Sequence, residues 1–167
     1  MADQPLLCAD KELAEIYQRH IKTVYRLCYM YLQNVADTED AVQSVFLKLI
    51  NSKKTFQDHE YEKAWLITTA KNHCNNILKN WWRTYRINLD DVPDIPVWDD
   101  NELSKEVLSK LLTLPKQYKT VLYLYYFEGY TTKEVAKILK RNESTIRTHL
   151  QRGREQLKID LGGVFYE

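Results

Sequence analysis

The sequence predicts an all-α protein: two small helical domains joined by an acidic linker, with a helix-turn-helix in the C-terminal domain. Apolar residues recur at intervals of three and four along most of the 167 residues, as on one face of a helix. Only 4 glycines and 4 prolines interrupt this pattern. Residues 1–87 carry 12 basic and 10 acidic residues, residues 88–102 carry 6 acids and no base, and residues 103–167 carry 12 basic and 7 acidic residues. We therefore divide the chain at these three blocks.

The middle block, NLDDVPDIPVWDDNE, predicts an extended tether rather than a domain. It contains Pro93 and Pro96 among its acids, and like charge should keep it away from DNA. The flanking blocks are both net basic, which favours nucleic-acid partners. The order basic, acidic, basic therefore suggests two nucleic-acid-facing modules.

The cysteines and the N-terminus indicate the cellular setting. Cys8, Cys28 and Cys74 have no paired spacing, so neither a disulfide framework nor a zinc site is expected. We expect these cysteines to be buried or half-buried thiols. The N-terminal residues lack the pattern of a signal peptide, and no apolar run is long enough to cross a membrane. We expect a cytoplasmic protein with no membrane insertion.

Two helices are predicted first. One runs from about Lys11 to Gln33, with an apolar face made of Leu13, Ile16, Tyr17, Ile21, Val24, Leu27, Cys28, Tyr31 and Leu32. The second begins at an expected N-cap, Asp37. Its predicted buried stripe is Ala41, Val42, Val45, Phe46, Leu49 and Ile50. Periodicity alone gives neither helix a chemical role.

A polar loop, 51–60, contains Lys53 and Lys54 and precedes a helix predicted from about Tyr61 to Tyr85. The apolar side of that helix is Leu66, Ala70, Cys74, Ile77 and Trp81, and its polar stripe is Thr68, Asn72, Asn76, Lys79 and Arg83. Amides for base edges, cations for phosphates and aromatic rings for stacking are typical of a single-stranded DNA surface. A solvated amide-rich face with its aromatic residues in the core is an equal alternative.

The C-terminal block predicts four helices. The first starts at Leu103 and ends before Pro115, which can open the second. In the second helix the residues expected to pack inward are Tyr118, Val121, Leu122, Tyr125 and Tyr126. Gly129 is expected to supply the turn into the third helix.

The stretch 131–158 is typical of a helix-turn-helix. Thr131 and Glu134 have the spacing of a capping box, and Val135, Ile138 and Leu139 follow on one apolar face. Lys140 and Arg141 form the predicted turn, and Asn142 is the expected N-cap of the next helix. The buried side of that last helix is predicted to be Ile146, Leu150, Gly153 and Leu157.

The opposite side of the last helix has the composition of a DNA-recognition face. The residues that we assign to upstream duplex DNA are Ser144, Thr145, Arg147, Thr148, Gln151, Arg152 and Arg154. Short hydrogen-bonding side chains and Arg147 can reach base edges in the major groove, while the flanking arginines hold phosphates. A basic helix face is often merely solvated, but the short capped helix before it favours DNA binding.

Four ordered segments carry a resemblance to a known family. They are TEDAVQSVFLKL (38–49), AWLITTAKNHCNNILKN (64–80), LPKQYKTVLYLYYFEGYTTKEVAKIL (114–139) and NESTIRTHLQRGREQLK (142–158). Together they resemble extracytoplasmic-function sigma factors of the sigma-70 family, which keep only the second and fourth sigma domains. The similarity extends from about Leu13 to Lys158.

The resemblance implies three contacts. Domain 2, residues 1–87, would dock on core RNA polymerase through Asp40, Gln43 and Phe46. It would also capture and melt the minus-ten element with Lys53, Lys54, Phe56, Asn72, Asn76, Lys79 and Arg83. Domain 4, residues 103–167, would read the minus-thirty-five element. The implied partners are core polymerase and promoter DNA, with an anti-sigma factor as a further candidate, and no cofactor, metal or catalysis is implied.

The alternative function is a helix-turn-helix transcriptional regulator that is not a polymerase subunit. Such a regulator would not need the helix bearing Asn72, Asn76 and their neighbouring cations, nor the acidic tether. An enzyme acting on DNA would need clustered carboxylates for a metal, or a nucleophile with convergent arginines. The acids here lie in the tether and at helix starts, which excludes that class.

Overall fold

The computed structural model describes the backbone of residues 4–84 and 102–161 and the side chains of residues 10–81 and 107–158. All regular structure in these ranges is helical, and the predicted all-α class is confirmed. The chain forms two compact units, Met1–Leu89 and Asp90–Glu167. The boundary falls within the predicted linker, which lies outside the described residues apart from Glu102, where a helix begins.

The first unit consists of three helices that each pack against the other two: α1 (Gln4–Leu32), α2 (Val35–Ser52) and α3 (His59–Thr84). Its fully buried side chains include Val24, Leu27, Cys28, Met30, Val45, Leu66, Ile67, Ala70 and Cys74. The thiols of Cys28 and Cys74 meet in this core. Their hydrogen bond, together with burial, raises the pKa of Cys28 far above its usual range. Both thiols are buried, as predicted, whereas the side chain of Cys8 lies outside the described residues.

The ends of α1 and α2 differ from the prediction. α1 starts at Gln4, well before the predicted start near Lys11. The N-cap of α2 is Asn34, because its side chain accepts a hydrogen bond from the Asp37 N–H at 3.1 Å. The predicted cap Asp37 was therefore wrong and lies in the first turn. The helix ends where Lys53 adopts a left-handed φ of 51°, which shortens the predicted loop, 51–60, to 53–58.

The second unit contains α4 (Glu102–Leu112), α5 (Lys116–Leu122), a π-helical turn (Tyr123–Phe127), α6 (Thr132–Leu139) and α7 (Glu143–Leu161). α7 packs against α4, α5 and α6, so it is the central helix of this unit. The buried residues include Leu108, Leu111, Val121, Leu122, Val135, Ile138, Ile146, Leu150 and Leu157. Gly153 lets α5 approach α7 closely, because a Cβ there would come within 2.7 Å of Leu122 Cδ1.

The π-helical turn changes which aromatic side chains are buried. Tyr123 and Leu124 are fully buried, whereas Tyr126 is 42% exposed, so the predicted inward position of Tyr126 was wrong. A π turn contains about one more residue than an α-helical turn, so it rotates the side chains that follow it. A prediction that assumes 3.6 residues per turn therefore assigns these side chains to the wrong face. Gly129 follows with a φ of 73°, which confirms its predicted role as the turn residue.

Candidate nucleic-acid interfaces

The two helices α6 and α7 form the predicted helix-turn-helix. Thr131 caps α6 by accepting a hydrogen bond from the Glu134 N–H at 3.2 Å. α6 ends at Lys140, whose left-handed φ of 53° makes the turn without a glycine. α7 begins at Glu143, directly after Asn142, whose carbonyl accepts the N–H of Ile146 at 3.1 Å. Local capping signals therefore position the second helix relative to the first.

The outward side of α7 exposes most of the residues that the sequence assigns to duplex DNA. Ser144, Arg147, Thr148, Gln151 and Arg152 are exposed, and Thr145 and Arg154 are half-buried. Some of their polar groups are already engaged within the helix: the Thr148 hydroxyl donates to the Ser144 carbonyl at 3.0 Å, and Gln151 Nε2 donates to Glu155 Oε1 at 3.3 Å. The face is therefore accessible to solvent, and hydrogen bonds within the helix hold the side chains of Thr148 and Gln151.

Arg147 is held by the first turn of its own helix. Its NH2 group donates to Glu143 Oε1 at 2.8 Å, and the same oxygen accepts the Thr132 hydroxyl of α6 at 3.0 Å. The hydrogen bonds from Arg147 and Thr132 lower the pKa of Glu143, so this carboxylate is ionised at neutral pH. Sequence reasoning assigned Arg147 correctly to the outer face but did not identify the carboxylate that orients it.

Arg154 is held by two tyrosines rather than by an acid. Its Nε donates to the Tyr126 hydroxyl at 2.5 Å, and the guanidinium lies 5.6 Å from the ring centroid of Tyr125 and 5.5 Å from that of Tyr126. Both contacts are made with neutral groups, so they hold the guanidinium of Arg154 without cancelling its charge. The outward turn of Tyr126 thus gives Arg154 a fixed position at the edge of the α7 face.

Position 149 contributes no charge to this face at neutral pH. His149 packs edge-on against Tyr118, with ring centroids 5.5 Å apart. Burial, and then the nearby Arg141 and Arg152, lower its pKa, so its imidazole is neutral where DNA would bind. The positive charge of the face therefore comes from its arginines.

In the first unit, α3 presents the predicted polar track. Asn72, Asn76 and Lys79 are exposed, while Thr68 is half-buried. At about 100° per residue, Trp65, Asn72 and Asn76 project within about 40° of one another. Arg83 belongs to the last turns of α3, and its side chain lies outside the described residues. The amides and Trp65 therefore share one helix face.

The loop between α2 and α3 contacts this same face. The Phe56 ring packs against Trp65 with centroids 5.9 Å apart, and Lys54 Nζ lies 5.8 Å from the Trp65 ring centroid. Lys53 and Lys54 are both exposed. The structure thus brings the predicted loop residues to the helix bearing Asn72 and Asn76. Sequence reasoning did not assign Trp65, because the aromatic residues it associated with stacking lie near the C-terminal end of α3.

The start of α3 is anchored by a buried carboxylate. Glu62 is 5% exposed, and its Oε1 accepts Arg19 Nε at 3.2 Å and Arg19 NH2 at 3.1 Å. His20 Nε2 lies 2.6 Å from the same oxygen. Asp58 caps the helix by accepting the Tyr61 N–H at 2.9 Å. The loop 53–58 therefore ends on a helix start that is fixed to α1.

α2 presents a separate exposed face with a mixed character. Asp40 and Gln43 are exposed as predicted, but Phe46 is only 8% exposed and packs against Tyr17 with centroids 4.8 Å apart. Phe46 therefore belongs to the core, which confirms its predicted place in the buried stripe, and its assignment to a polymerase contact stays a prediction. Leu47, 56% exposed, and Ile50 are the apolar residues on the open side, although the sequence predicted Ile50 to be buried.

Within residues 4–84 and 102–161, no group of three or more His, Cys, Asp or Glu side chains could hold a metal ion. In the same part of the chain, no helix is long and apolar enough to cross a membrane.

Comparison with known proteins yields one family. Residues 16–84 match the family model of sigma-70 region 2, and residues 104–157 match that of sigma-70 region 4. The chain is similar to the ECF RNA polymerase sigma factor SigX of Bacillus subtilis (strain 168), with 25% identity covering 86% of this chain and 80% of SigX. It is 27% identical to SigW of the same organism, covering 89% of this chain and 88% of SigW.

Solved structures show the same fold. The sigma factor RpoE, in its complex with the anti-sigma factor NepR from Bartonella quintana, aligns with a TM-score of 0.75 at 19% identity, covering 93% of this chain and 98% of that one. CnrH, in complex with the cytosolic domain of CnrY, aligns with a TM-score of 0.64 at 18% identity, covering 93% of this chain and 91% of that one.

Proposed function

The chain belongs to the extracytoplasmic-function group of the sigma-70 family, whose members work with RNA polymerase, and we propose that it melts the minus-ten region of its promoters with the α3 face. The family acts as a polymerase subunit rather than as an enzyme with its own active site. The observation that carries the proposal is the contact of Phe56 and Lys54 with Trp65, on the same face as Asn72 and Asn76.

This arrangement suits a base that has left the DNA stack. Duplex DNA exposes only the groove edges of its bases, whereas an unstacked base exposes its whole pairing edge, to which an Asn amide can both donate and accept. Unstacking costs roughly a few kcal/mol, and stacking on an aromatic residue returns about 1–3 kcal/mol per base. With Lys53, Lys54 and Lys79 nearby to hold phosphates, the face can offset the cost of opening.

The helix-turn-helix would read the upstream duplex. Arg147 projects from α7 with its side chain 66% exposed, next to the small polar residues Ser144 and Thr148. An arginine can bond guanine O6 and N7 with two donors, whereas Arg152 and Arg154 lie at the edges and suit phosphates. Region 4 would therefore supply sequence preference upstream while region 2 supplies strand opening.

The exposed side of α2 would dock on core polymerase. Asp40 and Gln43 give polar contacts, and Leu47 and Ile50 give an apolar centre that the folded unit leaves uncovered. Charged and polar groups around an apolar patch are typical of a protein interface. An anti-sigma factor is a further proposed partner, since the sigma factor RpoE, which has the same fold, was solved in complex with the anti-sigma factor NepR.

The proposal is tested by measuring the rate at which the double variant Asn72→Ala, Asn76→Ala opens promoters. With core polymerase, the variant should bind promoter duplex nearly as well as the wild type but open it more slowly. A template already mismatched over the minus-ten region should recover much of the lost transcription, because the unstacking cost has been removed. Permanganate footprinting of thymines on linear and mismatched templates measures both steps.

The matched control is Gln18→Ala, which removes an exposed amide from α1, away from the proposed face. It should open linear promoters at the wild-type rate. If the double variant does the same, Asn72 and Asn76 are a solvated helix face and the proposal for α3 fails. Run-off transcription with purified core polymerase then still reports whether the chain directs promoter choice by other residues.

A further inference from the structure

Glu143 is the acid in the first turn of α7, the helix proposed to read duplex DNA. It lies one turn before Arg147, on a helix whose open side also carries hydroxyls, an amide, arginines and the acid Glu155. A carboxylate at such a place repels phosphates and should weaken binding. Its contacts within the protein, rather than attraction to phosphates, therefore indicate its role.

Those contacts join three residues through one atom. Glu143 Oε1 accepts Arg147 NH2 at 2.8 Å and the Thr132 hydroxyl at 3.0 Å. Thr132 is the first residue of α6, so the carboxylate is fixed from the supporting helix as well as from its own. The guanidinium has five N–H donors in a rigid fork, and this bond uses one of the terminal nitrogens. Donors remain for a base edge.

We infer, on the basis of the proposed duplex-reading role of α7, that Glu143 is a positioning residue that orients Arg147 and sets how strictly one upstream base pair is read. A free arginine samples many rotamers, and a contact that fixes its fork before binding reduces the ordering cost at the correct base. The side chain of Arg147 is 66% exposed, so little else in the described part of the unit restrains it. Glu143 thus lowers the affinity for duplex DNA of any sequence and increases discrimination at the base pair that Arg147 reads.

The inference predicts opposite changes in two quantities. Glu143→Gln removes a negative charge near phosphates, so affinity for unrelated duplex should rise. The same change weakens the hold on Arg147, so preference at the base pair it reads should fall roughly five- to tenfold, a substantial part of what one good arginine–guanine pair supplies. A purely structural role in capping the helix would lower both quantities together.

Two further variants separate orientation from charge. Thr132→Val keeps the charge of Glu143 but removes its support from α6, so it should reduce base preference while leaving affinity for unrelated duplex unchanged. Glu155→Gln removes the same charge elsewhere on α7, where the carboxylate contacts Gln151 instead. It should raise affinity for unrelated duplex and leave the preference at the Arg147 base pair intact.

The experiment uses the full chain assembled with core polymerase and a promoter library randomised over the upstream element. Bound fractions are sequenced, affinity for an unrelated duplex is measured separately, and circular dichroism confirms that each variant is folded. In an Arg147→Ala background, Glu143→Gln should cause no further loss of preference. A wild-type preference in Glu143→Gln, or an equal loss in both backgrounds, would overturn the inference.

Arg147→Ala alone distinguishes this failure from failure of the proposed function. If that substitution relaxes one base pair while Glu143→Gln does not, α7 still reads duplex and only the positioning role is rejected. If it leaves every base preference unchanged, the duplex-reading role assigned to Arg147 is itself wrong.

Discussion

Replacing Lys119 by methionine should stabilise the second unit at neutral pH. The Lys119 side chain lies on α5 and is only 6% exposed. Burial, with a smaller contribution from nearby Lys116, lowers its pKa from 10.5 to about 8. An ammonium group buried in this way costs stability, and methionine fills a similar volume without the charge.

The size and pH dependence of the effect follow from the lowered pKa of Lys119. A difference of about 2.5 units corresponds to at most about 3 kcal/mol, at 1.36 kcal/mol per unit. Below pH 8 the folded and unfolded chains both carry the proton, so the full cost is present. Between pH 8 and 10.5 the folded chain loses the proton while the unfolded chain keeps it, and stability rises with pH. The advantage of methionine should therefore be largest at pH 7 and nearly vanish by pH 10.5.

Urea unfolding of the full chain, followed by far-ultraviolet circular dichroism at several pH values, measures this difference. Other titrating groups cancel when variant and wild type are compared at the same pH. The control Lys116→Met removes the same charge from an exposed position on the same helix and should change stability little. An equal gain in both variants, or a Lys119→Met gain that does not shrink with rising pH, would refute the reasoning.

Two further substitutions test packing and docking. Gly153→Ala should lower the free energy of unfolding of the second unit by up to about 2 kcal/mol. The new Cβ would lie 2.7 Å from buried Leu122 Cδ1, and this overpacking costs about 1–3 kcal/mol against a gain of about 1 kcal/mol in helix propensity. An unchanged free energy of unfolding would mean that Leu122 can move aside. Leu47→Asp should weaken co-purification with core polymerase without loss of helicity, since Leu47 is exposed at the centre of the α2 face, and undiminished co-purification would remove this face from the interface.

Features encoded by neighbouring residues could be predicted from the sequence. The cap of α6 at Thr131, the turn at Gly129 and the start of α7 after Asn142 all depend on contacts within four residues. The same reasoning failed for α2, where Asn34 and Asp37 are both good caps three residues apart. The sequence does not distinguish between these two caps. In the structure Asn34 is the cap, since its side chain accepts the Asp37 N–H.

Features that depend on distant contacts could not be predicted. Periodicity correctly predicted Phe46 in the buried stripe of α2 and Leu47 outside it, but it also predicted Ile50 to be buried. Tyr17 of α1 packs on Phe46, whereas Ile50 is 48% exposed. Similarly, nothing near Trp65 in the sequence shows that the loop residue Phe56 will fold back onto it. Part of each candidate site is therefore created by tertiary structure.

Two acids at equivalent places in two helices illustrate why burial decides what a carboxylate does. Glu62 and Glu143 both lie in the first turn of a helix assigned to DNA, where the helix dipole favours negative charge. Glu62 is buried and bonded to Arg19 and His20 of another helix, so removing one partner should cost about 3–5 kcal/mol of stability.

The side chain of Glu143 is 36% exposed and that of Arg147 is 66% exposed, so water screens their ion pair and it adds little to stability. Its bond to Arg147 can be broken and remade at small cost when DNA arrives, which a buried pair such as that of Glu62 could not allow. The first acid therefore fixes the helix that bears the amide track, whereas the second acts on DNA binding, through the orientation of Arg147 and through its own charge. A change in binding preference without a change in stability is the result expected of Glu143 and not of Glu62.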